Sequence, residues 1–73
     1  MKYILISVGE RDIDISYHDT HEEAYEQMVK ELDETGERSD YTEGEDYGLD
    51  ECGAWSNMNN HCNCDWRIAK LPE

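Results

Sequence analysis

Between Asp19 and Glu51 the chain carries fourteen acidic residues and only two bases, Lys30 and Arg38, for a net −12 of the whole chain's −13. So dense a run of like charge leaves few ways to fold. Any ordered element within it must turn nearly all its carboxylates to water and bury what little apolar surface it has along one line. Residues 20–35 meet that condition as a helix. Ala24, Tyr25, Met28, Val29 and Leu32 fall at i, i+1, i+4, i+5 and i+8, a single apolar stripe. Thr20 followed by Glu23 reads as a capping box, in which the Thr oxygen takes the Glu23 N–H and the Glu23 side chain returns to Thr20. Glu22 and Glu23 lie where the helix dipole favours anions, and Gly36 fits the position just past a helix end.

The flanking segments have the period of strands. "KYILISV" (2–8) is rich in β-branched and aromatic residues, with Ile4, Ile6 and Val8 on one face. "DIDISY" (12–17) alternates strictly, Ile13, Ile15 and Tyr17 against Asp12, Asp14 and Ser16, which is the pattern of a strand with one wet face. The turn "GERD" between them predicts a hairpin. Residues 37–46 are polar and acidic and read as a loop. "YGLDECGAWS" (47–56) and "CDWRIAKL" (64–71) read as two strands about the "NMNN" turn, with Gly48 and Gly53 marking a bulge in the first. The prediction is one α+β domain over 1–73. It is an antiparallel sheet of about four strands in ββαββ order, with one helix packed on one face. The expected core is Ile4, Ile6, Val8, Ile13, Ile15, Tyr25, Met28, Val29, Leu32, Trp66 and Ile68. With no Phe, Tyr and Trp must supply much of its bulk.

Charge narrows the classes of partner. Phosphate contacts need Lys and Arg, so direct nucleic-acid binding is disfavoured, and so is an anionic membrane. A basic protein surface or a cation is the natural counterpart of such a field. The apolar run 3–6 is too short for a signal-peptide core, and no stretch approaches a membrane span. A cytoplasmic setting is therefore expected, with the three cysteines reduced.

"NMNNHCNCDW" (57–66) is the segment most suggestive of chemistry. Cys52, His61, Cys62 and Cys64 form a donor set that a structural zinc ion could use. Zinc sites usually carry C-x2-4-C knuckles, however, and here a single C-x-C occurs. The alternative reading takes Cys52 as a small half-buried residue and the others as positions near a hairpin tip. No cofactor is expected. Thiol catalysis fits poorly, because a thiolate needs an electropositive setting and this chain's field is the opposite. The EF-hand spacing is absent from "DYTEGEDYGLDE" (40–51). No catalytic residues are assigned, and the chain reads as a non-enzyme.

The acidic segment remains the main candidate. Its exposed helix face and the loop after it, Glu22, Glu23, Glu26, Asp33, Glu34, Glu37, Glu43, Glu45 and Asp46, would meet a basic partner. Read without function, the same residues are a solvated face that keeps a small protein soluble.

The opening "MKYILIS", the helix start "DTHEEAYEQM" and the close "DWRI" resemble small acidic proteins of Firmicutes and their phages. In size and acidity the chain also resembles phage anti-CRISPR and other anti-defence proteins, several of which imitate DNA. The resemblance implies no catalytic residues, and it implies acidic or aromatic residues where Cys62 and Cys64 stand. It also implies a phage-derived inhibitor that occupies the basic nucleic-acid-binding surface of a host defence protein. The alternatives are a small structural zinc protein, and an acidic accessory or homodimeric protein that pairs through a sheet edge and inhibits nothing.

Overall fold

A computed structural model describes residues 2–9, 12–58 and 64–72. Strands β1 (Tyr3–Val8) and β2 (Ile13–His18) are followed by helix α1 (His21–Thr35) and a short 3-10 turn at Arg38–Asp40. Three strands complete the fold: β3 (Tyr47–Leu49), β4 (Gly53–Ser56) and β5 (Cys64–Lys70). They form one sheet in the order β2-β1-β5-β4-β3, and each neighbouring pair is antiparallel. The first and last strands pair at its centre and join the two halves of the chain.

The α+β class, the first hairpin and the single helix agree with the sequence pattern. The strand order is ββαβββ, however, and not ββαββ, because the segment 47–56 is a hairpin of its own. Its turn is "DECG" (50–53): the Asp50 N–H donates to the Gly53 carbonyl at 2.9 Å, and the Cys52 N–H donates to the Asp50 carboxylate at 2.8 Å. Asp at the first turn position and Gly at the fourth is a turn signature. Gly53 therefore closes a turn where a bulge was expected.

The larger correction concerns which face of the sheet is buried. Leu5 stands opposite Ile68 and Ser7 opposite Trp66, while Ile6 stands opposite Arg67 and Val8 opposite Asp65. Strand β1 is apolar on both sides, so its neighbour decides. Packing the helix on the Ile6 side would bury the Arg67 and Asp65 charges beneath its apolar stripe, at high cost. The helix instead covers the Leu5, Trp66 and Ile68 side. The core is Leu5, Ala24, Met28, Leu32, Ala54, Met58, Trp66 and Ile68.

Of the expected core, Met28, Leu32, Trp66 and Ile68 are buried, and Tyr25 packs against the cluster from a half-buried position. Val29 is half-buried. Ile4, Ile6 and Val8 lie on the opposite face, half-buried, and β2 follows them through the register Ile4–Tyr17, Ile6–Ile15 and Val8–Ile13. Ile13, Ile15 and Tyr17 are accordingly exposed, at 68%, 53% and 56%.

Met58, expected in a turn, is fully buried at the end of α1. A Cβ on Gly36 would come within 2.8 Å of the Met58 Cβ. Gly36 is extended, so the helix ends there to admit Met58 rather than through a left-handed residue. One buried polar group ties the same corner together. The Thr35 hydroxyl donates to the Leu32 carbonyl at 2.6 Å and so accepts from the Ser56 hydroxyl at 2.8 Å. Ser56 Oγ in turn accepts the Met58 N–H at 3.1 Å.

Candidate partner-binding face

Helix α1 buries Ala24, Met28 and Leu32. At 3.6 residues per turn, the side opposite that line carries Glu22, Glu23, Glu26, Lys30, Asp33 and Glu34. All six are exposed, so five carboxylates and one ammonium share one solvent face. Glu22 and Glu26 stand one turn apart, at a spacing where like charges repel. The last turn of the helix holds no base to offset the negative end of its dipole.

The nine acids expected to meet a partner divide by what else they do. The carboxylate of Glu23 accepts the Asp19 N–H at 3.3 Å, one residue before the position the capping box predicted, while Thr20 Oγ1 accepts the Glu23 N–H at 3.1 Å as expected. Asp33 is held by Arg38: Nε donates to Oδ1 at 2.6 Å and Nη2 to Oδ2 at 3.3 Å. That hydrogen-bonded contact raises the Arg38 pKa above its ordinary value, although desolvation works the other way. Asp46 is half-buried and shapes the loop. Its carboxylate accepts the Thr42 N–H at 2.9 Å, and its carbonyl accepts the Asn57 N–H at 2.7 Å. Glu22, Glu26, Glu34, Glu37, Glu43 and Glu45 are exposed, and their carboxylates make no hydrogen bond or ion pair among the described residues.

The loop that carries Glu43 and Glu45 is a defined turn. Gly44 takes φ 92°, a left-handed conformation that favours glycine, and its N–H donates to the Tyr47 carbonyl at 2.7 Å. Both neighbouring glutamates project into solvent.

Two polar residues have roles the sequence reading did not assign. Glu31 belongs to the acidic count but is half-buried. Its carboxylate accepts the Trp66 indole N–H at 3.3 Å and the Gln27 amide at 2.8 Å. The signal was available, since a buried indole N–H needs an acceptor and Glu31 borders the apolar stripe. His21 donates from Nε2 to the Glu51 carbonyl at 2.6 Å and sits between the rings of Tyr3 and Tyr25, at centroid distances of 5.8 and 6.3 Å. It links the helix start to the β3–β4 turn across thirty residues, a contact that no local pattern encodes.

His61 and Cys62 of the zinc alternative lie outside the described residues. The other two donors are far apart. The Ile68 N–H donates to the Cys52 carbonyl at 2.7 Å, whereas Cys64 pairs with Ser56 at the far end of the β4–β5 ladder. Ile68 and Cys64 stand four positions apart along the strand, about 13 Å. The backbones of Cys52 and Cys64 therefore lie at opposite ends of the ladder rather than side by side. Cys52 is exposed on its turn, and Cys64 is half-buried against the core.

No helix among the described residues is long and apolar enough to cross a membrane. No family model, no curated protein and no solved structure matches the chain.

Proposed function

We propose that the protein is a non-enzymatic, acidic binding module that occupies the basic surface of another protein, a phage-derived inhibitor of a host nucleic-acid-binding defence factor being the leading form. The observation that carries this reading is the segregation of charge on α1. Five of its six carboxylates stand on one exposed face, and the helix packs on the sheet by its other side. A helix already ordered loses little further backbone freedom on binding.

The spacing favours one kind of basic groove. Five acids and Lys30 between residues 22 and 34 span about 18 Å of helix, or one net charge per roughly 4–5 Å. A single nucleic-acid strand carries one charge per about 3.4 Å and a duplex one per about 1.7 Å. The helix face approaches the first value, and Glu37, Glu43 and Glu45 extend the array. On α1, Glu22, Glu26 and Glu34 are the acids whose carboxylates are bonded to nothing among the described residues, so they should carry most of the attraction. Asp33 and Asp46 would act chiefly by fixing the loop.

The test is affinity capture from a host lysate by the tagged protein, at low and at high salt. Basic nucleic-acid-binding proteins are expected at low salt and lost as salt rises, since the attraction is screened over about 8 Å at physiological ionic strength. The triple variant Glu22→Lys, Glu26→Lys, Glu34→Lys should capture none of them while keeping its circular dichroism spectrum. Capture that persists unchanged in strong salt and in the triple variant overturns the reading.

A further inference from the structure

We propose that the sheet face opposite the helix is an interface closed by a second copy of the chain, packed face to face. This goes beyond the acidic-face reading and does not depend on it. Ile13, Ile15 and Tyr17 of β2 stand exposed in a row beside Ile4, Ile6 and Val8 of β1. A contiguous apolar surface of this kind is rare on a monomer and marks an interaction site.

Charge decides what kind of partner fits. In a chain of net −13, the strand residues on this face contribute one acid and one base, Asp65 and Arg67. The apolar stripe of α1 could pair neither, whereas a two-fold pairing offers each the opposite charge of the second copy. The exposed acids of α1 stand on the other side of the sheet. Asp50 and Asp65 border the groove on this side together with Arg67, so far fewer acids meet here than would meet across the helix face. A strongly basic partner would find little to hold here, and it has the helix face instead.

Shape is also suited to self-pairing. The β1–β2 half of the face is a ridge of large side chains. The β5–β4–β3 half is hollowed into a groove of about 440 Å³, bordered by Ile6, Val8 and Trp55. The Trp55 indole lies down across Gly48, in space that a Cβ there would occupy. An isologous pairing would set the ridge of each copy over the groove of the other. Five strands about 4.8 Å apart and about five residues long give a footprint on the order of 400 Å². Accessible area exceeds a flat footprint, so two copies together bury on the order of 1,000 Å², the lower end of specific interfaces. Two sheets packed this way would lie about 10 Å apart, with the acidic helices on the two outer surfaces.

Sedimentation equilibrium of the full chain in the micromolar range tests the proposal. The expected result is a mass of twice 8.6 kDa, with association strengthening as salt rises. That is the opposite of the salt response expected for the acidic face, so the two readings fail separately. Ile15→Glu and Trp55→Ser, on strands at opposite sides of the sheet, should each give a monomer with an unchanged circular dichroism spectrum. The Glu22→Lys, Glu26→Lys, Glu34→Lys variant should still dimerise. A wild-type monomer throughout this range overturns the proposal. So does a dimer that Ile15→Glu breaks and Trp55→Ser leaves intact, since that would mark pairing through the β2 edge.

Discussion

Ser56 illustrates how much of this small core depends on single atoms. It is the one polar residue buried among the described residues, at 1% exposure, and it both donates to Thr35 and accepts from the Met58 N–H. Removing the hydroxyl leaves a buried backbone N–H without an acceptor, which costs about 1–3 kcal/mol. Ser56→Ala should therefore lower the urea midpoint by that equivalent with an unchanged slope. Ser56→Thr, which keeps the hydroxyl, should recover part of the loss if the added methyl is accommodated. An Ala variant as stable as the wild type would show that Met58 N–H finds another partner. Met58 itself could not be recognised in the sequence, because it sits amid asparagines in "NMNN". Its burial follows from where the β4 end meets the helix end, and that is a tertiary fact.

At the scale of elements, legibility followed locality. The helix was readable because its stripe, cap and terminal glycine lie within seventeen residues. The first hairpin was readable because β2 alternates without exception. The β3–β4 turn was misread as a bulged strand, although Asp50 and Gly53 stand at turn spacing, because "YGLDECGAWS" also scans as one half-apolar run. The buried side of β1 was not readable at all. "YILISV" offers an apolar face either way, and the choice is made by Asp65 and Arg67 sixty residues on. Within α1 the cap is the most exposed dependency. Thr20→Ala should cost about 1 kcal/mol, and Thr20→Ser should restore most of it, as read by thermal or urea unfolding. Equal stability of all three proteins would mean that the Thr20 bond to the Glu23 N–H contributes nothing.

Across the whole molecule, the arrangement is a thin core between two unlike surfaces. One is an acidic helix face, legible in the sequence as a concentration of charge. The other is an apolar sheet face, which was mistaken for core because its residues are the ones that cores are made of. The same physical asymmetry produces both. Burying Asp65 and Arg67 costs more than leaving Ile13, Ile15 and Tyr17 in water, so the helix took the other side. The proposed functions are consequences of that choice, which places charge outward on α1 and apolar area outward on the sheet. The most direct measurement of it is a comparison of Leu5→Ala with Ile15→Ala by urea unfolding, in solution dilute enough to hold the chain monomeric. Leu5 is 1% exposed and Ile15 53% exposed. The account expects Leu5→Ala to cost about 2–5 kcal/mol and Ile15→Ala to stay within about 0.5 kcal/mol of the wild type. Equal losses, or a larger loss at Ile15, would contradict it.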